Sequence, residues 1–296
     1  MIFATIDDLQ QALAANDYVA DRQLSTAIFL ALKLQKPLLL EGEAGVGKTE
    51  VAKTLSRMLG CHLIRLQCYE GLDVNTTIYE WNYTRQMLQI RLLEAIGAAD
   101  SHATMKEIFG PEFLIKRPLL QAIEESWDQP PVLLIDEIDR ADEEFEAFLL
   151  ELLSEWQISI PEIGTIRAAQ PPVVIITSNR TREVHDALKR RCLFYWIDYP
   201  SLEKEQRIVA ARVPAASEKL SQQVVGFVQE LRRMDLYKLP GVAETLDWTT
   251  ALIALDAQAL TPGVVDDTLG AILKYQDDVG QVRGAGVKAL LEKIGA

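Results

Sequence analysis

The stretch LLLEGEAGVGKTE, residues 38–50, decides the fold. Three leucines run into a loop carrying Gly42, Gly45 and Gly47, and the loop closes on Lys48 and Thr49. The apolar run Pro37–Leu40 is short and bounded by Glu41 and Gly42, so it reads as a buried parallel strand. Val51, Ala52, Leu55 and Leu59 then recur at helical spacing. Strand, glycine loop and helix are the context in which Gly-x4-Gly-Lys-Thr cradles phosphate. The chemistry needs these residue types. The glycines let backbone N–H groups approach phosphate oxygens, and the helix start behind them favours anions. Lys48 can reach the β- and γ-phosphates, and the Thr49 hydroxyl can bind Mg²⁺. The candidate nucleotide-binding segment is therefore Gly42, Glu43, Ala44, Gly45, Val46, Gly47, Lys48, Thr49 and Glu50. The competing reading is a glycine-rich turn into an ordinary helix.

The length of 296 residues suits about two domains. No apolar stretch approaches the roughly 18 residues of a membrane span. The N-terminus, MIFATIDDLQ, lacks a basic segment followed by a long apolar core, so no signal peptide is expected and the expected location is the cytoplasm. A net charge of −13 disfavours sequence-independent nucleic-acid binding, because an acidic surface repels phosphate backbones. Cys61, Cys68 and Cys192 form no C-x-x-C pair, which argues against a disulfide framework. His62, His102 and His185 are scattered, and no ligand pairs have metal spacing.

Strands and helical patterns alternate up to about Pro200, which predicts a parallel α/β sheet with helices on both faces. The expected strands are Pro37–Glu41, Leu63–Gln67, Val132–Ile135, Val173–Thr177 and Phe194–Ile197. ADEEFEAFLLELLSEW reads as a helix with Phe145, Phe148, Leu149, Leu152, Leu153 and Trp156 on one face, Asp142 as its cap and a solvated acidic face. WQISIPEIGTIRAA reads as a hairpin turning at Gly164. Beyond Pro200, SLEKEQRIVAARV, SEKLSQQVVGFVQELRRM, TLDWTTALIALDAQAL and VVDDTLGAILKYQDDV read as successive helices. The predicted division is residues 1–200, an α/β nucleotide-binding domain, and 201–296, a small all-helical domain.

Hydrolysis needs a metal-holding acid and a polarised water. VLLIDEIDR supplies candidates, since Asp136 and Glu137 emerge at the C-terminal end of a buried strand, where open parallel sheets bind ligands. Asp136 would hold Mg²⁺ through its water shell, and Glu137 would orient or deprotonate the attacking water. Asp139 and Arg140 serve either an interface or the start of the next helix. Asn179 follows the strand Val173–Ile176, where its amide would reach the γ-phosphate or the water; the alternative is a turn asparagine. Arg190 and Arg191 precede an apolar strand, and one of them could enter a neighbouring subunit's site as an arginine finger. Simple solvation is the alternative for the pair.

GEAGVGKT, LLIDEIDR, TSNR and ALKRRC, in this order and followed by helices, resemble an AAA+ ATPase. FLIKRPLLQAI, ISIPEIGTIRAA and DYP resemble the MoxR branch. LIRLQCYEGLDV, YEWNY, TSNRTREVHDALKRRC and VAETLDW are similar to its CoxD-like members, which are associated with maturation of the molybdenum–copper site of carbon monoxide dehydrogenase. The resemblance implies an AAA+ P-loop sheet with a helical lid. It also implies a Mg²⁺-dependent ATPase that assembles into rings, commonly hexamers. The implied partners are a von Willebrand factor A domain protein and a metalloenzyme client, with any membrane association through partners only. In it, Lys48 and Thr49 match the Walker A pair, Asp136 and Glu137 the Walker B pair, Asn179 sensor 1, and Arg190 or Arg191 the finger, with Arg191 favoured. One departure stands out: TLDWTTAL carries no sensor 2 arginine, and Asp247 and Trp248 there suit a helix cap and a core aromatic.

Three other readings compete with a remodelling chaperone. A nucleotide kinase shares the phosphate loop, but Glu137 and the Asn179–Arg191 series favour water as acceptor. A nucleic-acid-bound member lacks a helix-turn-helix or zinc module and has the wrong charge. A nucleotide-dependent switch or assembly factor with little hydrolysis stays open without sensor 2.

Overall fold

Short runs of consecutive apolar residues become strands buried on both faces, and these build the sheet. The computed structural model describes residues 3–96, 108–124 and 127–295. Nine strands are assigned among them: β1 Leu38–Glu41, β2 Leu63–Gln67, β3 Tyr79–Trp81, β4 Leu114–Lys116, β5 Val132–Asp136, β6 Gln157–Ile160, β7 Gly164–Arg167, β8 Val173–Ser178 and β9 Leu193–Trp196. Five form one sheet in the order β2-β5-β8-β1-β9. β2 and β8 flank β5 in parallel, with Gln67 opposite Asp136 and Ile135 opposite Ile176. β9 runs parallel to β1, because Leu193 donates to the Pro37 carbonyl and Ile197 to the Glu41 carbonyl. All residues of β1 and β5 are buried, as the near-continuous apolar runs require.

The chain forms two compact units. One takes residues 26–40 and 55–195 among those described. Its core joins the inward side chains of β2, β5 and β8 to the helix Glu143–Glu155, through Phe145, Leu149 and Leu152. Asp142 caps that helix by accepting the Phe145 N–H at 2.9 Å, as its position predicts. β3 pairs with β4, and β6 with β7 in a hairpin whose turn is residues 161–163; Gly164, where the turn was expected, is instead the first residue of β7, paired with Ile160. The other unit takes residues 3–25, 41–54 and those from 196 onward. Its helices include Leu202–Arg212, Glu218–Leu231, Val242–Ala254, Pro262–Ile272, Gln276–Val282 and Ala285–Ile294. Phe227 and Trp248 lie at the centre of its core, ring centroids 5.4 Å apart.

The structure corrects several local expectations. β5 and β8 each run one residue further than predicted, to Asp136 and Ser178, β1 starts at Leu38, and β9 starts one residue early, at Leu193. The expected helix through VVDDTLGAILKYQDDV breaks at Leu273, whose backbone is extended (φ −102°, ψ 132°). A separate helix restarts at Gln276, anchored by the buried Asp278, which accepts the N–H groups of Tyr237 and Lys238. Apolar spacing continues through such a break, so periodicity does not reveal it. The helix carrying TLDW begins at Val242, which leaves Asp247 inside it rather than at its cap, while Trp248 is fully buried and donates to the Thr268 hydroxyl. Glu146 departs from the solvated acidic face: it is buried, pairs with Arg182 and accepts the His185 N–H. His102 lies outside the described residues. No helix among the described residues is long and apolar enough to cross a membrane.

Candidate active site

The loop after β1 is set by close backbone approaches. Gly42 has φ +154°, and a Cβ there would stand 2.2 Å from the Ile197 carbonyl oxygen. Any side chain would push the loop off the end of β1. Gly45 adopts φ +78°, a conformation that L side chains rarely take. Glu43 and Ala44 are exposed, whereas Val46 is buried and anchors the loop from below. Lys48 is buried, and its Nζ donates to the carbonyls of Gly42 and Glu43 at 2.7 Å each. The ammonium is thus held inside the curve of the loop. Lys48 and Thr49 begin the helix Lys48–Leu59, and Glu50 in its first turn pairs with Arg212 at 2.9 Å.

Asp136 and Glu137 stand at the C-terminal end of β5. Asp136 is 3 % exposed, and a carboxylate so enclosed requires partners. Its Oδ1 accepts the Thr177 hydroxyl at 2.6 Å. Its Oδ2 accepts Nε and Nη2 of Arg65 at 3.0 and 2.6 Å. Glu137 has φ +57°, an uncommon conformation for a residue with a side chain. The Thr177 hydroxyl secures it by accepting the Glu137 N–H at 2.9 Å. One hydroxyl therefore ties both acids to β8. The Glu137 carboxylate lies between the Asn179 amide, donating at 3.2 Å, and Arg140 Nε at 3.1 Å.

Asn179 sits on a loop that Asp139 holds. The buried Asp139 carboxylate accepts the N–H groups of Asn179 (3.1 Å) and Thr181 (2.8 Å) and the Thr181 hydroxyl (2.7 Å). Burial opposes ionisation of Asp139, but these donors outweigh it and hold its carboxyl below the usual carboxylate range. Nearby, burial and then the charges of Asp136, Asp139, Glu137 and Glu146 push the Cys68 thiol up to about 12, so it stays a neutral packing group.

The structure thus brings Asp136, Glu137 and Asn179 together. It places Arg190 and Arg191 elsewhere, exposed at the end of the helix Asp186–Arg191, with no hydrogen bond or ion pair among the described residues. Arg140 contacts Glu137, and Asp139 is a brace for the Asn179 loop. Sequence reasoning passed over Arg65, Thr177 and Thr181. Thr177 had a signal, a hydroxyl two residues before Asn179 at a strand end. Arg65 had a weaker one, a charge flanked by Leu63, Ile64 and Leu66 in a strand. Because the Arg65 guanidinium donates twice to the buried Asp136 Oδ2, Arg65→Ala is expected to destabilise the fold by about 1–3 kcal/mol, the cost of a buried acceptor that loses a charged donor. Urea unfolding at neutral pH checks this, and an unchanged midpoint would show that the pair contributes nothing.

Residues 37–192 match the family described as AAA domain (dynein-related subfamily). An uncharacterized protein of Staphylococcus epidermidis is 26 % identical over 208 residues, covering 68 % of this chain and 70 % of its own. An uncharacterized protein of Staphylococcus aureus is 25 % identical over 207 residues, with the same coverage of 68 % and 70 %. Among solved structures, the Thermotoga maritima RuvB Holliday junction branch migration motor is similar at a TM-score of 0.48 and 15 % identity, covering 93 % of this chain and 80 % of that one.

Proposed function

The chain belongs to the AAA domain family (dynein-related subfamily) of AAA+ ATPases, and from that premise we propose that it hydrolyses ATP to ADP and phosphate as a ring-forming remodelling chaperone. The observation that carries the hydrolytic reading is the Glu137 carboxylate. It stands at the end of β5 in a left-handed backbone conformation, held by Asn179 and Arg140 beside the enclosed Asp136. An acid held this way suits a group that takes a proton from water, and an amide beside it suits a group that orients that water. The loop Gly42–Thr49 binds the triphosphate through its amides and Lys48. Mg²⁺ takes hard oxygen ligands, and the Thr49 hydroxyl and the Asp136 carboxylate are of that kind. Thr49 and Asp136 would hold the ion, which would supply positive charge to offset that of the phosphates. Residues 1–200 would act as the nucleotide-binding domain and 201–296 as the lid. Arg191, or Arg190, would complete the site of the neighbouring subunit.

The finer assignment follows the resemblance of LIRLQCYEGLDV, YEWNY and VAETLDW to CoxD-like MoxR members. On that reading the partner is a von Willebrand factor A domain protein, and the client is a molybdenum–copper carbon monoxide dehydrogenase or a related metalloenzyme, met in the cytoplasm. The helix Val242–Ala254 contains no arginine, which favours one alternative, a nucleotide-dependent switch with little hydrolysis. The test is calorimetric titration of the purified full chain with ATP and Mg²⁺, followed by phosphate release. The proposal expects saturable binding and release of phosphate. Binding without release would select the switch, and no uptake of adenine nucleotide at any protein concentration would end the proposal.

A further inference from the structure

The phosphate loop touches the first residues of the helix Val242–Ala254. The Ala243 N–H donates to the Gly45 carbonyl at 3.1 Å. A Cβ on Gly241 would stand 2.8 Å from the Ala44 carbonyl oxygen and 2.9 Å from Gly45 Cα, so this approach is open only to glycine. Glu244 closes the turn by accepting the Gly241 N–H at 2.9 Å.

Behind the turn lies an ion pair sealed from water. The Glu205 side chain is 0 % exposed and that of Arg232 is 6 % exposed. Glu205 accepts Nη1 and Nη2 of Arg232 at 2.6 and 2.7 Å, the Gln229 amide at 2.7 Å and the Thr245 hydroxyl at 2.7 Å. Nε of Arg232 then donates to the Pro240 carbonyl at 2.8 Å. The guanidinium lies 4.9 Å from the Tyr199 ring centroid, a cation–π contact. The planar fork is engaged on both edges, with Glu205 on one and Pro240 on the other, so its geometry defines where the turn sits. Net stability is a poor reason for such a pair, since desolvation of two charges consumes much of their attraction.

We infer that Arg232 is a positioning residue for the nucleotide: locked to Glu205, it sets where the Pro240–Gly241 turn bears on Ala44 and Gly45, and so how the loop amides meet the phosphates. This rests on the reading of residues 42–49 as a phosphate loop. Arg232 acts through Pro240, Gly241 and Thr245 rather than by touching phosphate. The helix Val242–Ala254 supplies no arginine of its own, and a buried guanidinium at the C-terminal cap of the preceding helix locates its first turn instead.

The test measures ATP and ADP dissociation constants, kcat, KM and thermal stability for three variants of the full chain. Arg232→Lys keeps the charge and loses the fork. Thr245→Val removes one donor to Glu205. Gly241→Ala leaves the ion pair intact and adds the Cβ that meets the loop. Each is expected to weaken ATP binding, by about 10–100-fold for Arg232→Lys, the loss of one or two charge-assisted hydrogen bonds from the loop's support. Arg232→Lys and Gly241→Ala combined are expected to be less than additive, because both act on the same turn. A structural role alone would lower the melting temperature and leave the affinity of the folded protein unchanged. If Arg232→Lys does not fold, Gly241→Ala and Thr245→Val carry the test. Wild-type affinity in the folded variants overturns the inference. Failure of the wild type to bind nucleotide removes the phosphate-loop reading, and this inference with it.

Discussion

Glu137→Gln is expected to bind ATP as the wild type does and to lose about 10²–10⁴-fold in kcat, the range typical of a lost general base. The geometry makes the substitution clean. Glutamine keeps the shape and leaves a carbonyl oxygen for the Asn179 amide, which donates to Glu137 Oε1 at 3.2 Å. The backbone hold by the Thr177 hydroxyl involves only the N–H of residue 137 and is untouched. What changes is the ability to take a proton and the charge facing Arg140. Nucleotide titration alongside single-turnover phosphate release separates binding from chemistry. Turnover near that of the wild type would remove Glu137 from its role and leave Asp139 and the Asn179 loop as architecture alone.

Arg191→Ala is expected to cost about 10³–10⁵-fold in kcat, the effect of an arginine finger where one acts. On the proposed reading the finger acts toward another copy, which requires an exposed guanidinium. The helix Asp186–Arg191 ends in Lys189, Arg190 and Arg191, and the last two are exposed with no partner among the described residues. A finger acting in trans has a further signature. Arg191→Ala mixed with an equal amount of Glu137→Gln should recover activity, because some sites then combine an intact glutamate with an intact neighbouring arginine. Random mixing restores about one site in four. Arg190→Ala run in parallel decides between the two arginines. A monomeric protein with full activity would exclude a finger at either position.

The parts of the candidate site that were readable from sequence are those whose chemistry imposes local spacing. A loop that is to place amides, an ammonium and a hydroxyl around one phosphate chain, as proposed for Gly42 to Thr49, needs its residues close in sequence. Asp136 and Glu137 were reachable because an unbroken apolar run marks a buried strand, and the first acids after it stand at its end. The partners of those acids were not readable. Arg65 reaches Asp136 across 71 residues, and Thr177 across 41. Asp139 holds Thr181 across 42. Glu146 illustrates the limit on a helix. The pattern of Glu143–Glu155 marks an acidic face, yet one of its acids is buried against Arg182 and the His185 N–H, which no count along the helix exposes.

Composition and local pattern alone determined the strands of an α/β sheet, a phosphate-type loop and a helical C-terminal region. These follow from short-range steric and hydrophobic preferences that each segment expresses by itself. The tertiary structure decided which charges are neutralised and by what. A buried carboxylate must find its donor wherever the sheet order brings one, and β2-β5-β8-β1-β9 sets side by side strands that are far apart in the chain. The same holds for Arg232 and Glu205: two ordinary surface residues by type became a sealed pair because two helices closed over them.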